Sequence, residues 1–97
     1  MKDYIYVGSA PTDEDCVQVT RDADYLPAMR AECLRYIAAL RAKYGPEPEG
    51  AELRLKREGH DFGPYIEVVC VFDPTDDAAV EYAYDVEGGL QFWPEEA

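Results

Sequence analysis

Apolar residues recur at intervals of three and four through one long stretch of this chain: Leu26, Met29, Cys33, Tyr36, Ile37, Leu40 and Tyr44. That spacing is the period of an amphipathic helix. Its ends carry signals as well. Asp22 or Asp24 can cap the start, Pro27 must lie in the first turn where its missing N–H costs nothing, and Gly45-Pro46 stops it. The helix predicted over Asp24 to Tyr44 is about 30 Å long at 1.5 Å per residue. Arg30, Arg35, Arg41 and Lys43 lie off its apolar face, the last two at the end where the helix dipole favours cations. With 97 residues in all, the chain is one domain, 1–97, and the surface that buries this face has to come from short segments around it.

Those segments read as strands. Tyr4-Ile5-Tyr6-Val7 and the β-branched Cys16-Val17-Gln18-Val19-Thr20 are two short ones, separated by the loop-like run from Gly8 to Asp15. Ala51 to Glu58 alternates, with Leu53 and Leu55 on one side and Arg54 and Lys56 on the other, as a half-buried strand does. Tyr65 to Phe72 is apolar on both sides apart from Glu67, which predicts a central strand covered on both faces or nearly so. The loop Gly59-His60-Asp61-Phe62-Gly63-Pro64 joins the last two. A second helix is expected to open at Asp73, with Asp73 as N-cap and Pro74 at the first position, and to end near Gly88-Gly89. Ala79, Ala83 and Val86 form its buried stripe with Tyr82 beside them, and Leu90, Phe92 and Trp93 form an apolar tail expected to pack back on the domain. The order is ββαββα: an α+β domain with a mostly antiparallel sheet of three or four strands and the long helix across it.

Charge is distributed unevenly. From Gly59 to Ala97 there are ten carboxylates and no lysine or arginine, whereas residues 1–20 sum to −3 and residues 21–58 to +1, so most of the total of −12 sits in one segment. Such a field repels nucleic acid and anionic membranes and attracts basic protein surfaces. No apolar run approaches the roughly 18 residues of a membrane span, and no apolar signal region follows Met1-Lys2-Asp3-Tyr4, so a cytoplasmic setting is expected. Cys16, Cys33 and Cys70 form no CxxC pair and read as small buried hydrophobes; Cys33, near Arg30, comes nearest to a reactive environment.

Asp73, Asp77, Glu81 and Asp85 follow one another at intervals of four. On a helix they align along one face, about 6 Å apart per step, opposite the Ala79–Ala83 stripe. Local physics does not favour this: each like-charge i,i+4 pair costs a few tenths of a kcal/mol, on the order of 1 kcal/mol for three pairs. Three readings follow. The acids serve solubility or salt adaptation; they form a docking face for a basic protein surface, with mimicry of a nucleic-acid backbone as one form of it; or they bind a metal. Asp73-x-x-Asp76-Asp77 lacks the alternating ligands and central glycine of an EF-hand loop, so no metal site and no cofactor are assigned. One stripe is also too dilute to copy duplex DNA, which carries a charge about every 1.7 Å.

His60 is the only histidine, with Asp61 beside it and Cys70 on the following strand. A Cys–His nucleophile is conceivable, but nothing in the spacing requires it, and a loop histidine that hydrogen-bonds its own hairpin is preferred. There is no GxGxxG, P-loop, GxSxG or HExxH, and no catalytic residue is assigned. Eight tyrosines, spread over both predicted helices and the strands at Tyr4–Val7 and Tyr65–Phe72, combine contact area with a polar tip as interface residues do, or pack at the core and rim of a small domain.

Cys16 to Val19, the stretch Arg30 to Gly45, and Gly59 to Cys70 together resemble small acidic proteins of bacterial plasmids and phages. The resemblance carries no activity and no functional residues. What it implies is a setting in which small acidic proteins inhibit or regulate a host protein. The function expected is therefore a non-catalytic, protein-binding one, through Asp73, Asp77, Glu81 and Asp85, with a soluble structural or small-ligand-binding domain as the alternative.

Overall fold

The helix Leu26–Tyr44 (α1) turns Met29, Cys33, Tyr36, Ile37 and Leu40 inward, all of them buried. The computed structural model describes residues 2–9, 26–59 and 65–90. In chain order the elements are β1 (Asp3–Ser9), α1, β2 (Ala51–Glu58), β3 (Tyr65–Phe72) and a second helix, α2 (Asp77–Glu87). The domain is α+β, and the described strands form a three-stranded antiparallel sheet in the order β1-β3-β2. The strand expected at Cys16–Thr20 lies outside the described residues, as do the His60–Pro64 loop and the Phe92-Trp93 tail.

The apolar run Tyr65–Phe72 takes the central place, as its composition predicts. It pairs with β2 without interruption from Ala51↔Phe72 to Glu58↔Tyr65, and with β1 from Asp3↔Phe72 to Ser9↔Glu67 across a bulge between Tyr6 and Gly8. The face bearing Val68, Cys70 and Phe72 carries both helices. Met29, Cys33, Ile37 and Leu40 of α1 meet Ala79, Tyr82, Ala83 and Val86 of α2 there, with Val7 and Leu53, in one core cluster. No described helix covers the opposite face, and two described side chains shield it in another way. Lys56 reaches from β2 to Tyr4 on β1, its Nζ donating to the phenol oxygen at 2.8 Å and lying 4.1 Å from the ring centroid. The register places Val69 between these two positions, and Val69 is only 3% exposed. A lysine stem and a tyrosine ring thus cover apolar surface while their polar ends stay wet.

Tyrosines tie the two helices together at their ends. Tyr82 of α2 donates to the carbonyl of Gly45, just past α1, at 2.9 Å. Tyr44 of α1 donates to the carbonyl of Gly89, just past α2, at 2.8 Å, and the Leu90 N–H donates to Tyr36 Oη at 3.1 Å. Each helix therefore satisfies backbone groups that the other leaves open at its C-terminal end. Gly89 has a φ of 64°, and a Cβ there would stand 2.6 Å from the Tyr36 hydroxyl, so both backbone conformation and space require glycine.

Candidate functional site

The acidic helix begins later than its sequence suggests. Asp73 is not the N-cap of α2, and Pro74 is not its first residue. Asp73-Pro74-Thr75-Asp76 forms a turn closed by the Asp76 N–H donating to the Asp73 carbonyl at 3.1 Å. Proline suits the second position of such a turn as well as it suits the start of a helix. The Asp73 carboxylate is occupied within the turn, accepting from the Thr75 N–H at 2.9 Å and the Thr75 hydroxyl at 2.7 Å. These bonds hold its pKa below the ordinary value for an aspartate. The cap is Asp76, whose backbone is extended and whose Oδ1 accepts from the Ala78 and Ala79 N–H groups at 3.0 and 3.2 Å. Of the Asp73, Asp76, Asp77 trio weighed for metal binding, the first two thus spend carboxylate oxygens on backbone and hydroxyl donors.

The stripe on α2 is consequently three residues, Asp77, Glu81 and Asp85, with Asp73 outside it. All three are exposed. Ala79, Tyr82, Ala83 and Val86 point the other way into the core. Among the described residues none of the three has an ion-pair partner. Nor is there a base in the last turn, where one would offset the helix dipole. Tyr84, 61% exposed, belongs to the same face, since it follows Asp77 by seven residues and Glu81 by three. That i, i+4, i+7, i+8 relation with Asp77, Glu81 and Asp85 is readable in the sequence once the helix is assigned. The face that results is a row of carboxylates about 6 Å apart beside one aromatic ring.

Four other carboxylates, Glu47, Glu52, Glu58 and Glu67, are differently placed. Glu47 accepts from Arg41 Nε at 2.9 Å and from Arg41 Nη2 at 2.8 Å, and its Oε1 also accepts from the Leu53 N–H at 3.1 Å. The Arg41 bonds, first of all, lower its pKa to about 2. Glu67, on the open face of β3 opposite Lys56, is 8% exposed, and burial raises its pKa, with Glu58 adding to the effect and Lys56 opposing it. Glu52 pairs with Arg54 and Glu58 with Lys56. The unpaired row on α2 stands out against these.

His60 and Asp61 lie outside the described residues. Cys70, the third member of that constellation, is fully buried in β3, and burial pushes its thiol up to about 11, away from thiolate chemistry at neutral pH. Cys33 is likewise buried, its Sγ donating to the Ile66 carbonyl at 3.7 Å. No group of three metal-ligating side chains comes together among the described residues, and no helix among them is long and apolar enough to cross a membrane. A groove of about 390 Å³ opens between the start of α1 and the β2–β3 pair, lined by Leu26, Pro27, Arg30, Leu55, Arg57 and Ile66. Its residues come from three elements, so no local spacing announces it. Comparison of the chain with protein families, curated proteins and solved structures finds no match, and the resemblance to mobile-element proteins gains no support there.

Proposed function

We propose that this protein is a non-catalytic binding module that docks the exposed face of α2 onto a basic surface of a partner protein and so inhibits or regulates it. The observation that carries the reading is the row Asp77, Glu81 and Asp85, exposed and without ion-pair partners among the described residues, with Tyr84 beside it. Exposed ion pairs contribute roughly 0.2–1 kcal/mol each, so three of them cannot make a tight complex alone. Their work is steering and register, and Tyr84 is the residue placed to supply buried area. The complementary surface is a short cluster of lysines or arginines around an apolar slot. Three charges spread over about 12 Å compare with about seven on duplex DNA over the same length. This favours a local basic patch over imitation of a nucleic-acid backbone.

Affinity capture from the native host, with the wild-type chain and with the triple variant D77N/E81Q/D85N, tests the proposal. A partner retained at low ionic strength, lost steeply toward physiological salt and absent with the triple variant is the expected result. Equal capture by both proteins, or a partner without a basic surface, would overturn it and leave the acids as a solubility device.

A further inference from the structure

We propose a second binding surface, on the outer edge of β2, that takes an extended acidic–apolar peptide segment by strand addition. It is separate from the α2 face and does not depend on that reading. Among the described residues β2 is an edge strand, in the order β1-β3-β2. The Leu53 N–H points away from β3, since it donates to Glu47 Oε1 at 3.1 Å. In an antiparallel ladder outward-pointing residues alternate, so the N–H and C=O groups of Leu55 and Arg57 point outward too. Ile66, opposite Arg57, agrees with this phase: its N–H reaches Met29 Sδ at 3.1 Å and its carbonyl accepts from Cys33, so its backbone does not bond β2. Among the described residues nothing pairs with the outward groups of Leu55 and Arg57. The Arg41–Glu47 pair closes the first half of the edge, and among the described residues nothing closes the second half.

The open half adjoins the groove of about 390 Å³, which lies in the size range of small binding sites. Leu26, Pro27, Leu55 and Ile66 give it an apolar floor, and Arg30 and Arg57 stand at it exposed and without ion-pair partners among the described residues. Free backbone donors and acceptors, an apolar slot and two cations are the complement of a β-strand with an apolar side chain opposite Leu55 and a carboxylate two residues away, opposite Arg57. The charges select against a second copy of this chain. Antiparallel β2–β2 pairing through Leu55 and Arg57 would gather Arg30 and Arg57 from both copies on one face, and like charges on neighbouring strands repel.

The probe is the capped peptide acetyl-Glu-Thr-Val-Thr-Glu-Thr-Val-Thr-amide, which places glutamate and valine on one face whichever way it runs. A neutral control carries glutamine for glutamate. Amide chemical shifts and hydrogen exchange of the full chain are followed during titration. Expected are shifts and slowed exchange at the Leu55 and Arg57 amides, with affinity lower by about tenfold or more for the glutamine peptide and for R30Q/R57Q. R57P, which also removes an outward N–H without touching the β3 ladder, should bind more weakly than R57Q. D77N/E81Q/D85N should bind as the wild type does. No shift at Leu55 and Arg57, an affinity indifferent to R30Q/R57Q, a response centred on α2, or concentration-dependent dimerisation that protects β2 would each overturn the proposal.

Discussion

Glu47 and Glu81 present the same carboxylate, and the fold treats them in opposite ways. Glu47 sits where the chain leaves α1 and enters β2. It takes a bidentate bond from Arg41 and a third from the Leu53 N–H, and its side chain is only 12% exposed. Three structural needs meet there: a charge at the negative end of α1, an edge N–H on β2, and the direction of the connection. Glu81 is exposed at the middle of α2, between Asp77 and Asp85, with no cation among the described residues to answer it. The first arrangement serves folding, and its residue types follow from the geometry. The second costs stability through like-charge spacing, and the fold itself supplies no reason for its residue types among the described residues. A carboxylate's meaning in this chain is set by whether the fold supplies its partner.

The largest effect should come from the core on which both regions rest. Leu40 is fully buried between α1 and the sheet, and Leu40→Ala should destabilise the protein by about 2–5 kcal/mol in denaturant titration. Next comes the contrast itself. Glu47→Ala leaves the Arg41 guanidinium and the Leu53 N–H without their acceptor and should cost about 1–3 kcal/mol. Glu81→Ala, on an exposed helix face, should stay within about 0.5 kcal/mol of wild type. Equal losses at the two positions would break the distinction between them.

Acid sharpens the same contrast. The Glu47 carboxyl is held at about 2, below the 4.5 of an ordinary glutamate, chiefly by Arg41. Because the folded value lies below the unfolded one, the contribution is complete above about 4.5 and is lost as pH falls through that value toward 2. Arg41 is 49% exposed, so solvent screens the pair, and about 1–2 kcal/mol is the expected size. In Glu47→Gln, the wild-type decline between those two pH values should flatten by that amount, as read from midpoint denaturant concentrations at a series of pH values.

Much of the architecture was readable in the residues, because periodicity reports burial directly. The spacing of Met29, Cys33, Ile37 and Leu40, the unbroken apolar run of β3, and the Ala79, Ala83, Val86 stripe each name the face that the fold buries. The start of α2 was not readable in the same way. Asp73 and Asp76 are both capable caps, Pro74 fits either a turn or a helix start, and the choice falls to the Thr75 hydroxyl, which holds Asp73 in a turn. The link from Arg41 to Glu47 spans six residues across the positive-φ Gly45, a separation that matches no helical or strand period. The β2 groove likewise joins three elements that only the fold brings together. Local signals carried the described elements apart from the start of α2, and the spacing of Asp77, Glu81 and Asp85 on it; contacts made across element ends had none.

The smallest expected effect bears most directly on α2. If Asp77, Glu81 and Asp85 are retained against the interest of the helix, removing their charges should stabilise it. Two i,i+4 repulsions remain once Asp73 is excluded, and each costs a few tenths of a kcal/mol, so D77N/E81Q/D85N should gain about 0.5 kcal/mol at low ionic strength. Asp77 opposes the trend, since it lies in the first turn where the helix dipole favours an anion. D77N alone should therefore lose a little stability, while E81Q/D85N should gain the most. Salt separates this from other causes. Added sodium chloride screens exposed charges over roughly 8–10 Å and should raise the stability of wild type more than that of the triple variant. Thermal unfolding of the four proteins at low and high salt reads all of these differences. A triple variant less stable than wild type at every salt concentration would mean that these carboxylates serve the fold after all, and the contrast with Glu47 would fall.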